Sequence, residues 1–234
     1  MKERPILFSS PMVRAILNGR KTVTRRVIQC HLNGWHIDRL LGDWPLSEPD
    51  GFENGIFKYT HQTEVDDART DEVKCPHGQP GDRLWVRETY TVGALITGRC
   101  EGNSYVVFKD GGQKYKDGAY YRPQEKYAPG AFDGIKWKPS IFMPRWASRI
   151  TLEITDVRVE RVQDIDDIEA EREGVHWSDA AIIFEGGSRV RELERTYRGA
   201  FACLWDSINS KRGFGWNLNP WVWAITFKRV KGDD

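Results

Sequence analysis

Apolar positions recur at two spacings along the chain and divide it into a small set of ordered elements. Near the start, Ser10 is a good N-cap, Pro11 sits at the first helical position and Gly19 is a stop. Met12 or Val13 joins Ile16 and Leu17 on one apolar face, which predicts a short helix. The segment Gly19-Arg-Lys-Thr-Val-Thr-Arg-Arg26 then reads as a tight turn that enters a strand at Val27 and Ile28.

Residues 83–90 alternate as a strand, with Leu84, Val86 and Tyr90 on one face and Trp85, Arg87 and Thr89 on the other. Glu88 falls on the apolar face, so its carboxylate is either at the strand end in water or held by a partner. Residues 105–109 predict a strand, and 119–122 a second one. In 149–155, Ile150, Leu152 and Ile154 alternate cleanly. The phase flips after Asp156 to Val157 and Val159, which predicts a bulge or a break.

An acidic helix is expected over 165–173, capped by Asp164 and ended by Gly174. The strongest helical pattern is 189–210, where Val190, Leu193, Tyr197, Phe201, Leu204 and Ile208 recur every three or four residues before Gly213 and Gly215. Residues 221–230 predict the last strand. Residues 30–80 and 91–148 are rich in turn formers, and in the first stretch only 55–59 reads as a strand. The pattern predicts one α+β domain over 1–234: a small mixed β-barrel, about three helices, and long loops inserted at about 30–79 and 91–137.

Composition narrows the function classes. The 234 residues carry 35 Lys+Arg against 34 Asp+Glu, a formal charge of +1, so no global basic coat for nucleic acid exists. Hydrophobic residues make up 39% and charged residues 29%, a globular balance, and no apolar run approaches the ~20 residues that span a bilayer. Membrane partners are not expected. Four scattered cysteines suit free thiols in a reducing cytoplasm. Cys30-His31 and Cys75-Pro-His77 hold four zinc-type donors, but neither pair has zinc-knuckle spacing, so no metal is assigned. Ten tryptophans, eight tyrosines and ten phenylalanines fit a heavily packed core better than a set of base-stacking platforms.

The chemistry sits in residues 19–26. Four cations and two hydroxyls follow a helix stop, which can build an anion or nucleotide pocket. Charge pattern alone favours a solvated strand edge guarded by cations. Lys21 and Thr24 would face opposite sides of a regular strand, so their cooperation requires a turn or bulge over 19–22. A threonine hydroxyl attacks only when a neighbouring base takes its proton. Lysine serves as that base only when neutral, and desolvation together with Arg25 or Arg26 lowers its pKa in that direction.

These residues resemble the Gly-x-Lys-x-x-Thr-x-Arg signature of the ASCH domain family of the PUA-like superfamily, met here by Gly19, Lys21, Thr24 and Arg26. The resemblance extends to Pro80-Gly-Asp-Arg-Leu-Trp-Val-Arg-Glu88, to residues 164–174, and to Asn219-Pro-Trp-Val-Trp-Ala-Ile225, together about half of the chain. The layout is similar to that of the larger ASCH proteins of tailed bacteriophages and prophages. The insertions have no counterpart in minimal family members.

Small bacterial members are amidohydrolases that remove acetyl from N4-acetylcytidine. The resemblance implies Lys21 as general base, Thr24 as nucleophile and Glu173 as proton donor, with Glu171 the alternative acid. No cofactor is implied. Arg25, Arg26, Trp85, Arg87, Glu88 and Trp146 are the candidate substrate-binding residues, through cation contacts, base stacking or acceptance from a cytosine amine. The expected ligand is a modified nucleoside or RNA, with no protein partner indicated. A non-catalytic reader of RNA or modified bases, and a ribonuclease, are the competing functions.

Overall fold

The computed structural model describes residues 1–28, 31–32, 35–36, 51–53, 56–62, 68–92, 105–109, 112–115, 120–121, 136–176 and 196–230. The chain opens with β1 (Glu3–Leu7), α1 (Ser10–Leu17) and β2 (Val23–Val27). Short strands follow: β3 (His31–Leu32), β4 (Trp35–His36), β5 (Gly51–Glu53), β6 (Ile56–Gln62) and β7 (Ala68–Lys74). Next come β8 (Arg83–Arg87), β9 (Tyr90–Val92), β10 (Tyr105–Phe108), β11 (Gln113–Tyr115) and β12 (Tyr120–Tyr121). The chain continues through β13 (Thr151–Arg161), α2 (Asp167–Arg172), α3 (Tyr197–Asn209) and β14 (Trp221–Arg229). The architecture is mixed α+β.

Internal contacts divide the chain into two units: Met1–Asn18, Gly81–Glu153 and Lys228–Asp234 in the first, Gly19–Pro80 and Ile154–Phe227 in the second. In the first unit β8 is flanked on both sides. It pairs in parallel with β1, from Glu3↔Arg83 to Leu7↔Arg87, and antiparallel with the start of β13, as in Leu152↔Leu84. That central position explains why Leu84, Trp85 and Val86 are all buried where simple alternation predicted one wet face. The antiparallel sheet β12-β11-β10-β9 belongs to the same unit. Tyr90, Val106, Phe108, Met143 and Ala147 form a core cluster there, with Trp146 packed on it.

In the second unit β2 pairs antiparallel with β14, from Val27↔Val222 to Val23↔Thr226. Val162, Ile165, Ala170, Val175, Ala200, Phe201, Trp205 and Val222 make a core beneath α2 and α3. The strands β5-β6-β7 form a meander, and β3 pairs with β4.

The strand order β1-β8-β13-β14-β2 ends on two edges. Among the described residues no sheet closes on itself, so the barrel expected from the strand pattern is replaced by open sheets. Several element expectations shift. Ser9, not Ser10, is the N-cap residue of α1. Asp166, not Asp164, caps α2, accepting from the Glu169 N–H at 2.7 Å. β13 runs unbroken through Asp156. Leu152, Ile154 and Val157 are all buried along this one continuous strand, so the change of apolar phase needs no break.

The apolar stripe of α3 is Ala200, Phe201 and Trp205, which leaves Ile208 exposed. The indole N–H of Trp205 donates to the Phe214 carbonyl at 2.8 Å, which fixes that rotation. Residues 55, 119, 122 and 189–195 of the expected elements lie outside the described residues. Apolar alternation does not reveal most of the meander at 51–74, because its strands carry many charged and polar residues.

Candidate active site

The turn after α1 is made by Gly19 in the left-handed region at φ 73°. Two backbone bonds then fix the segment inside the second unit: Thr22 N–H donates to the Arg172 carbonyl at 2.8 Å, and Phe227 N–H to the Thr22 carbonyl at 2.9 Å. The irregular backbone at 20–22 lets Lys21 turn inward instead of following strand alternation.

Lys21 is 3% exposed. Its Nζ donates to the Val23 carbonyl at 2.8 Å, to the Glu173 carbonyl at 2.7 Å and to Glu173 Oε2 at 2.5 Å. Glu173 is equally buried and closes α2, followed by Gly174 at φ 85°. A helix leaves its last carbonyls without intrahelical donors. Here Thr22 N–H and the Lys21 ammonium supply two of them, next to the negative end of the helix.

The pKa of Lys21 lies below its ordinary value of 10.5. Burial is the largest cause, Glu173 opposes it, and Arg26 and Arg25 add to the lowering. Of the two carboxylates left open by sequence, Glu173 meets Lys21, while Glu171 is exposed on the outer face of α2.

Arg25 is buried and faces inward. Its Nε donates to Glu160 Oε1 at 2.7 Å, its Nη1 to Glu173 Oε1 at 3.4 Å, and its Nη2 to Glu169. Arg158 Nη2 reaches the other oxygen of Glu169 at 2.5 Å. A guanidinium surrounded by three carboxylates of its own chain is a structural centre, so Arg25 is not presented as a substrate ligand. Burial raises the pKa of Glu160, with Arg25 opposing.

Arg26 is half-buried, and burial is the main influence lowering its pKa, with Glu173 opposing and Arg212 adding to it. Thr24 is 4% exposed and pairs through its backbone with Ile225. Its residue begins at the peptide bond whose carbonyl, that of Val23, receives the Lys21 ammonium. No hydrogen bond joins the Thr24 hydroxyl to Lys21 or Glu173 among the described residues.

The remaining candidates belong to the first unit. Trp85 is a buried core residue, with the Arg87 guanidinium 4.5 Å and the Arg145 guanidinium 5.8 Å from its ring centre. Both cations are placed where a stacking base would compete with them. Trp146 packs on the cluster around Met143 and Phe108. Glu88 is 2% exposed and held by Arg149, Nε to Oε1 at 2.8 Å and Nη2 to Oε2 at 2.7 Å. The carboxylate on the apolar face thus has a buried partner. Glu160, Glu169 and Arg149 were not anticipated. The only signal for Arg149 was the misplaced charge of Glu88, which demands a cation without saying which one.

Among the described residues no group of three or more His, Cys, Asp or Glu side chains is placed to hold a metal ion. Cys75 is buried, and Cys30 lies outside the described residues. No helix among the described residues is long and apolar enough to cross a membrane. No protein-family model, no curated protein and no solved structure matches the chain.

Proposed function

We propose that this chain is an amidohydrolase that removes an acyl group from the N4 amine of a modified cytidine, as a nucleoside or within RNA. Thr24 is the nucleophile, Lys21 the general base and Glu173 the general acid. The observation that carries this reading is the buried 2.5 Å contact between Lys21 Nζ and Glu173 Oε2, beside the peptide that begins Thr24. Moving one proton across that contact converts the ion pair into a neutral amine and a carboxylic acid. Those are the two forms the chemistry needs, and the burial that lowers the lysine pKa favours the neutral amine.

The amine then takes the Thr24 proton as Oγ1 attacks the acyl carbon. Arg26 or an N–H of the 19–22 turn stabilises the oxyanion. The C–N bond breaks as Glu173 delivers its proton to the departing N4 amine. A proton then passes back from Lys21 to Glu173, the Lys21 amine deprotonates the water that attacks the threonyl ester, and Glu173 returns a proton to Thr24 Oγ1 as the carboxylic acid leaves.

A PUA-like fold of ASCH type is part of the same proposal. The order of the motif segments and the mixed α+β architecture support it, and the open sheets are where the chain departs from a closed barrel. A cytoplasmic setting and a phage or prophage origin rest on the same resemblance.

One observation favours a second reading. Lys21 caps α2 with three engaged donors, and the Thr24 hydroxyl is not hydrogen-bonded to it, which suits a rigid module that reads a modified base without chemistry. Chromatography after incubation with N4-acetylcytidine and a panel of acylated nucleosides separates the two. The amidohydrolase reading expects free cytidine and acetate from the native chain. It expects Thr24→Ala to lower kcat by about 10²–10⁴ while ligand affinity is kept. Binding of the nucleoside with no turnover by the native chain would establish the reader instead.

A further inference from the structure

We propose that the first unit carries a second site, one that binds the dianionic phosphate of a phosphomonoester. It stands apart from the amidohydrolase reading, because every residue it uses belongs to Met1–Asn18 or Gly81–Glu153. A cleft of about 190 Å³ is lined by Ser10, Arg14, Glu88, Lys109 and Arg149. Sites that enclose a whole drug-sized molecule start near ~300 Å³. This cleft therefore suits one headgroup of a ligand.

Its charge selects the headgroup. Three cationic side chains face one carboxylate. Both oxygens of Glu88 are already taken by Arg149, so that pair is neutral toward a ligand, and Arg149 is held over the Phe108 ring at 4.1 Å. Two positive charges remain, on Arg14 and Lys109. Both side chains are exposed, and among the described residues neither has an acidic partner.

They come from different elements, α1 and the turn after β10, so nothing within one helix or strand forces these like charges together. Ser10 stands four residues before Arg14 on the same face of α1 and offers a hydroxyl donor. A phosphomonoester carries about −1.5 to −2 at neutral pH and three acceptor oxygens, which matches two cations and a hydroxyl. A phosphodiester or a carboxylate brings a single charge and leaves one cation without a partner.

Phosphorus NMR titration of the full chain at low salt tests this, with inorganic phosphate, a nucleoside 5′-monophosphate and a dinucleoside phosphodiester as probes. Phosphate and the monoester are expected to bind, with the diester at least about tenfold weaker. Affinity is expected to fall as pH drops through the second phosphate pKa of ~6. The double variant R14Q/K109Q changes two exposed side chains, so its unfolding midpoint should hold while phosphate affinity drops at least about tenfold. Thr24→Ala should leave phosphate binding unchanged. Equal binding of diester and monoester, undiminished binding by the double variant, or no binding at millimolar phosphate would each overturn the site.

Discussion

Lys21 is a cation kept almost wholly out of water by a helix end and a carboxylate. Two demands meet in it. As a cap it must be an ammonium, because each acceptor it touches needs a proton. As a base it must be an amine for part of the catalytic cycle. Its lowered pKa makes the exchange accessible, and that has a measurable sign. Between the lowered folded value and the ordinary 10.5, the unfolded chain binds more protons at Lys21 than the folded chain does. The Lys21 contribution to stability therefore rises with pH through that window and is constant on either side of it. Urea unfolding at neutral and alkaline pH should show this rise in the native chain and lose it in Lys21→Met. In the rate profile the same group gives an alkaline limb centred below 10.5, which Lys21→Arg removes. At this scale, sequence pointed to Lys21 and left Glu171 and Glu173 both open. It also assigned Arg25 to a substrate, because nothing near residue 25 reveals that Glu160 and Glu169 will enclose it.

The elements that bring Lys21 to Glu173 are short and need help. α2 spans Asp167–Arg172, too few residues to persist as an isolated helix. Asp166 secures its first turn, Gly174 ends it in the left-handed region, and the 21–22 segment takes its last carbonyls. The approach of that segment depends on Gly19 at φ 73°. A Cβ at Gly19 would meet nothing within 4 Å, so the effect of Gly19→Ala is backbone strain alone. It should destabilise the chain by about 1 kcal/mol in urea unfolding and lower turnover by displacing Lys21. A wild-type midpoint would show that the turn tolerates a side chain. Turn and cap residues made α1, α2 and the Gly19 bend legible, with N-caps misplaced by one or two residues. The continuity of β13 was not legible, because Leu152, Ile154 and Val157 are all buried along one strand, which strict alternation does not allow.

Across the molecule, each unit has a buried ion pair joining residues far apart in sequence: Lys21 with Glu173, and Arg149 with Glu88. Removing one partner of such a pair leaves an uncompensated charge in a dry place, at about 3–5 kcal/mol, whereas replacing both with apolar residues is often neutral. Glu88→Ala should thus lower the unfolding midpoint markedly, and the double replacement E88M/R149M should recover most of the loss. Equal destabilisation by the single and double variants would show that packing around the pair, and not its charge balance, is what matters. By itself the sequence determined the α+β class, the three described α-helices and about half of the described strands, the bend at Gly19 and the Lys21–Thr24 motif, because these depend on residues within a turn or two of chain. Tertiary structure decided which acid meets Lys21, where Arg25 points, that Glu88 is buried against Arg149, and that the sheets stay open. Those outcomes join positions 61 to 152 residues apart, and no local pattern encodes which distant side chain will fill a buried charge's need for a partner.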